Sequence, residues 1–217
     1  MIHTFSYTCY LGLYDNQVIL KKNSLFKPVR TKNNILIYHH STGQGISYKY
    51  HKQYKYLTVI INPNRLLKQS DQLVFKNDND KINKVLELYS DNFNSLFPNS
   101  EAEQYVNRID YKLDVPVPDE KERELYIKLF KKSYKKYGYM KQVDRYNSSL
   151  KFKGKTVELN IYNKYQERID RNEAPDNYKF IRLEVQLSRP KLKYNKKTYG
   201  VKDTIQNYYN SNQSFYS

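Results

Sequence analysis

Three stretches of the chain alternate apolar and polar residues with a period of two: residues 106–115, 157–164 and 180–187. Strand side chains switch faces at every residue, so each stretch predicts a strand with one apolar and one polar face. The apolar faces hold Ile109, Leu113, Leu159, Ile161, Ile181, Leu183, Val185 and Leu187. The polar faces hold Arg108, Asp110, Lys112, Asp114, Glu158, Asn160, Tyr162, Lys164, Arg182, Glu184 and Gln186. Asp and Asn are disfavoured within strands. Asp110 and Asn160 therefore mark the polar face as a candidate site rather than a merely solvated surface.

The rest of the chain supplies strands and helices around these three. A strand is predicted over 2–11, and a hairpin over 34–40 and 45–51 turns at Ser41-Thr42-Gly43-Gln44-Gly45. Another strand, 55–62, is stopped by Pro63. Ile82, Val85, Leu86, Tyr89, Phe93 and Leu96 recur at helical spacing and predict a helix over about 80–97. Pro116 and Pro118 end the first site strand, and Asp119 caps a helix over about 119–137. Strands over 142–153 and 155–164 meet at Lys153-Gly154-Lys155, and the last site strand covers 179–188. The expected fold class is α+β: a mainly antiparallel central sheet, helices on its apolar face, and an open polar face. Residues 1–189 form the expected domain. Residues 190–217 form a polar C-terminal extension, partly helical near 201–209 or frayed.

Charge narrows the partner. The chain has 217 residues, with 38 Lys and Arg against 22 Asp and Glu, a net charge of +16. That balance favours a polyanion, most commonly nucleic acid. The 24 tyrosines offer rings on which bases stack, although AT-rich coding also enriches Tyr, Asn, Lys and Ile. The single cysteine, Cys9, excludes a disulfide framework and a paired-cysteine metal knuckle within one chain. The N-terminus has no signal-peptide pattern, and no stretch approaches the roughly 20 apolar residues that span a bilayer. A reducing cytoplasm and no membrane partner are expected; the oligomeric state stays open. Lys131, Lys132, Lys135 and Lys136 make one helix end basic. They read equally as a solvated face and as a DNA-contacting stripe.

The polar faces hold candidate chemistry. Two carboxylates such as Asp110 and Glu184 are hard oxygen ligands suited to Mg²⁺ or Mn²⁺. Tyrosine can serve as a covalent nucleophile. Lys164, two residues beyond Tyr162, shares its face if the strand continues, and its charge would favour the phenolate or offset charge on a phosphate. The plainer alternative is ion pairing of Asp110 with Arg108 and of Glu184 with Arg182, and on pattern alone it ranks ahead of a metal site. Tyr162 is one of 24 tyrosines. His39 and His40 are adjacent, so a strand points them to opposite sides; with His51 they read as surface or DNA-contacting residues.

Three segments, in order, resemble the gene II/X-type replication initiators of filamentous phages and related plasmids, of the HUH-like tyrosine nickase superfamily. They are Arg108-Ile109-Asp110, then Ile161-Tyr162-Asn163-Lys164-Tyr165-Gln166-Glu167, then Arg182-Leu183-Glu184. An upstream strand ending in Asn62-Pro63 is also similar, so the resemblance covers about 55–189. It implies a tyrosine nickase that starts rolling-circle replication at origin DNA through a 5′-phosphotyrosyl link. Tyr162 would be the nucleophile, assisted by Lys164, with Asp110 and Glu184 as ligands of Mg²⁺ or Mn²⁺. Glu158, Glu167, Arg108 and Arg182 would support them. Single-stranded or origin DNA would be the partner, with a host helicase and polymerase beyond it. The His-hydrophobic-His motif of related nickases is absent. A second class of function fits the charge as well: a non-catalytic DNA-binding protein on the same scaffold, acting as an origin regulator. An RNA-binding protein accounts for charge and aromatics but not for the paired carboxylates.

Overall fold

Alternating residues build one antiparallel sheet, and helical-period residues cover one side of it. In the computed structural model the described residues are 2–12, 17, 19, 25–30, 36–69, 79–98, 100–133, 141–143, 147–174, 178–200 and 204–211. Among them are ten strands: β1 (Ile2–Tyr10), β2 (Lys27–Arg30), β3 (Leu36–Ser41), β4 (Ile46–His51), β5 (Tyr56–Ile61), β6 (Glu103–Pro116), β7 (Lys141–Val143), β8 (Ser149–Lys153), β9 (Val157–Asn163) and β10 (Phe180–Ser188). Their order across the sheet is β2-β3-β4-β5-β1-β6-β10-β9-β8-β7. The helices are α1 (Pro63–Leu66), α2 (Asn79–Leu96), α3 (Glu120–Ser133), α4 (Lys164–Asp170), α5 (Arg189–Tyr199) and α6 (Ile205–Ser211). The fold is α+β, as the alternation predicts.

Two apolar clusters lie on the same side of the sheet. The larger joins Phe5, Cys9, Leu57, Val59 and Ile109 to Val85, Tyr89 and Phe93 of α2. The smaller joins Leu150, Phe152, Ile161 and Ile181 to Ile127 of α3. Each large side chain buried this way contributes about 1.5–3 kcal/mol. Leu192, Ile205 and Tyr208 bring α5 and α6 into the larger cluster. Helix α5 carries only one deeply buried residue, Leu192, so it has no apolar period for the sequence to show. Its start does fit helix chemistry, with Pro190 in the first turn.

Other differences from the predicted elements have local causes. Strand β2 is an exposed edge containing Pro28, where a missing N–H donor is tolerated, and it shows no alternation. The strand expected over 142–153 is divided into β7 and β8, with 144–146 outside the described residues. The helix expected to reach residue 137 is described to Ser133. Gly45, at φ +98°, lies so close to α1 that an added Cβ would come within 2.7 Å of the Leu66 backbone nitrogen. The Asn62 N–H also donates to the Gly45 carbonyl at 2.8 Å, so the hairpin fixes the Asn62-Pro63 corner. There Asn62 accepts from the Arg65 N–H at 3.1 Å and caps α1.

Candidate active site

Strand order decides whether the three polar faces form one surface. β10 lies between β6 and β9, and their registers align in rows. Asp114, Arg182 and Tyr162 are directly opposed across the three strands. Lys112, Glu184 and Asn160 form the next row, followed by Asp110, Gln186 and Glu158. The polar strand residues that alternation assigned to one side therefore share it, Lys164 excepted.

Tyr162 and Glu184 meet at the centre of this surface. The Tyr162 hydroxyl donates to Glu184 Oε1 at 2.7 Å. A register irregularity between Ile2 and Thr4 turns His3 toward the same carboxylate, with Nε2 at 3.5 Å. Tyr162, Glu184, His3 and Lys164 line a groove of about 1110 Å³, which Asn62, Asn64 and Arg65 at α1 flank on another side. The Asn62-Pro63 corner thus reaches the groove that holds Tyr162.

Lys164 arrives by a different route from the predicted one. The strand ends at Asn163, whose side chain accepts from the Tyr165 and Gln166 N–H groups and starts α4. Lys164 is the first residue of that helix, not a strand residue sharing the face of Tyr162. Its stem is nevertheless buried, and its ammonium lies 5.7 Å from the centre of the Tyr162 ring. Glu167 Oε2 accepts from Lys164 Nζ at 2.5 Å and holds it there. Arg171 binds the other oxygen of Glu167 at 2.6 Å.

The expected ion pairs divide. Arg108 does grip Asp110 through both oxygens. Arg182 reaches across to β6 and pairs with Asp114. Its guanidinium makes two hydrogen bonds to Asp114, at 2.6 and 2.8 Å, and is fully buried. Glu158 is held by Lys151 at 2.5 Å. Lys131 and Lys132 end α3, which packs on the apolar side, so they are not brought to the groove. Lys135 and Lys136 lie outside the described residues. His39 and His40 do face opposite ways, since His39 is paired with Lys49 while the His40 ring stacks on Tyr48.

Burial sets the protonation chemistry. It pushes the Tyr162 hydroxyl well above the ordinary tyrosine range, and the Glu184 charge adds to this while Arg182 opposes it. Burial also raises Glu184, against the Tyr162 hydrogen bond and the charges of Arg182 and Lys164. Asp110 is raised by burial as well, with Arg108 opposing. Asp110 and Glu184 lie close enough for the charge of Asp110 to raise Glu184 further.

Two carboxylates that repel each other, Asp110 buried and Glu184 half-buried, suit a divalent cation. Among the described residues no cluster of three or more His, Cys, Asp or Glu is arranged as a metal cage. Mg²⁺ does not require one: one or two carboxylates, water and substrate phosphates suffice. The donor set therefore fits such an ion, with Arg108 as its competitor for Asp110.

His3 is a groove residue that sequence reasoning missed. Its place depends on the irregularity in β1, which leaves no mark in the sequence. No family profile matches the chain, and no curated protein is similar to it in sequence. Among the described residues, no helix is long and apolar enough to cross a membrane.

Proposed function

We propose that this protein nicks and rejoins single-stranded DNA with Tyr162 as nucleophile, initiating rolling-circle replication of a phage or plasmid. The observation that carries the reading is the hydrogen bond from Tyr162 to Glu184, in a groove that also holds Lys164. It sets a nucleophile against a base, within reach of a cation.

The Tyr162 oxygen attacks the scissile phosphorus as its proton passes to Glu184. The bond from phosphorus to the 3′-oxygen breaks, and that oxygen takes a proton from solvent. The products are a 5′-phosphotyrosyl link and a free 3′-hydroxyl that primes synthesis; rejoining reverses the steps. A buried phenol resists ionisation, so its proton must leave as the new bond forms, and the raised basicity of Glu184 favours that transfer. The Lys164 ammonium, steadied by Glu167, offsets charge building on the phosphate. Asp110 and Glu184 would hold Mg²⁺ or Mn²⁺, which when bound polarises a phosphate oxygen.

Tyr162→Phe is expected to lower cleavage of labelled single-stranded oligonucleotides in Mn²⁺ by more than about 10³-fold while leaving their binding intact. Equal cleavage by the variant contradicts the reading. The grip of Arg108 on both Asp110 oxygens favours a second reading, a non-catalytic DNA-binding regulator. In that case the wild-type protein binds the oligonucleotide and forms no covalent band.

A further inference from the structure

The same sheet face carries an aromatic row that the cleavage chemistry does not use. His51, Tyr56 and Tyr10 are directly opposed across β4, β5 and β1. The His51 ring stacks on Tyr56 at 4.3 Å, and Tyr54 stacks on Tyr56 at 6.1 Å. Tyr10 meets Tyr56 edge-on at 6.4 Å and Tyr105 of β6 at 6.0 Å. Tyr10 and Tyr54 are 57% and 56% exposed, which is unusual for rings in such close series.

The surroundings favour a polyanion. Lys52 and Lys55 flank Tyr54, exposed in the turn that links β4 to β5. Lys49 precedes His51 on the same face of β4, and the Arg189 guanidinium lies 5.2 Å from the centre of the Tyr105 ring at the far end of the row. Glu103 is the acidic residue of the row, and it accepts from the Tyr105 hydroxyl. Burial and Lys49 hold the His51 imidazole below its ordinary range, so near neutral pH it is an uncharged ring suited to stacking.

Strand β1 connects the row to the groove. Thr4 is paired with Asp110 and Tyr10 with Glu103, on one face of one strand. At about 3.4 Å per residue the two positions are about 20 Å apart. We propose that the row from Tyr54 through Tyr56 to Tyr10 and Tyr105 stacks the bases of single-stranded DNA whose backbone continues along the sheet to the Tyr162 groove. The proposal rests on DNA as the partner of that groove and not on cleavage there. Rings stack on every base, so the row would hold the strand without reading its sequence.

Binding of a fluorescent oligothymidylate to the full chain, followed by anisotropy without divalent metal, tests this independently of nicking. Tyr10→Ala and Tyr56→Ala are each expected to weaken binding by about 5- to 100-fold, the range that loss of one stacked base gives. Tyr56→Phe keeps the ring and is expected to bind within about twofold of wild type. Circular dichroism checks the folding of each variant, and Tyr10 lies exposed at a strand end. Wild-type affinity in both alanine variants overturns the proposal. So does tighter binding of the matching duplex or of RNA of the same sequence. Self-association that is lost in Tyr10→Ala also overturns it, by assigning the row to a second copy of the chain.

Discussion

Glu184→Gln is expected to lower single-turnover cleavage by about 10²- to 10⁴-fold, the contribution of a positioned proton acceptor. The amide still accepts the Tyr162 hydroxyl hydrogen bond seen at 2.7 Å, so the geometry survives while the basicity is lost. In the wild type, cleavage rises with pH as Glu184 ionises, above the ordinary glutamate value of 4.5 because burial raises it. The variant has no such rise, and its residual rate grows only as hydroxide becomes available. A variant that cleaves at the wild-type rate removes Glu184 from the chemistry.

The same substitution is expected to stabilise the fold at neutral pH. Because the folded-state value is raised, the folded protein holds the Glu184 proton more tightly than the unfolded chain does. Ionisation therefore opposes folding, and stability falls as pH rises from the unfolded value through the folded one. Glutamine has no proton to lose. Its thermal midpoint should exceed that of wild type at pH 7, and the gap should close below pH 4.5, where the wild-type carboxyl is neutral in both states. Lower activity with higher stability is the signature of a strained functional site.

Asp114→Asn is expected to act on the fold in the opposite direction, by about 3–5 kcal/mol, the typical loss when one partner of a buried ion pair is removed. Arg182 is fully buried and held by two hydrogen bonds to Asp114, and Lys112 Nζ lies 3.8 Å from the same carboxylate. Removing the anion takes the charge-assisted partner of two hydrogen bonds from buried Arg182 and an ion-pair partner from buried Lys112. For a chain of this size the midpoint should fall by roughly 6–20 °C. Arg182 is directly opposite Tyr162, so the variant should also disturb the nucleophile. A midpoint within about 1 °C of wild type would show that the pair contributes nothing net.

Alternation made the two faces of β6, β9 and β10 legible, because a period of two needs no tertiary information. It could not show that β10 lies between β6 and β9. That order reverses the chain order of the last two, and it alone turns three polar faces into one surface. Register had the same limit. The sequence places Arg182 two residues from Glu184, but pairing sets it against Asp114. Lys164 was misplaced for a local reason: Asn163 is a good helix cap, and the pattern continued the strand past it. The burial of Lys164 against Tyr162 follows from the geometry of α4, which no periodicity conveys. His3 depends on one irregularity in β1. The aromatic row was visible in the sequence only as an excess of tyrosine.

The central claim is that Tyr162 becomes bonded to DNA, and the mass of the DNA-carrying peptide tests it most directly. The wild-type protein is incubated with single-stranded DNA and Mn²⁺, trimmed with nuclease and digested with trypsin. Cleavage after Lys155 and Lys164 releases residues 156–164, in which Tyr162 is the one tyrosine. That peptide is expected to carry a 5′-phosphonucleotide on Tyr162. A nucleotide on any other peptide, or no adduct where DNA is bound, would contradict the account.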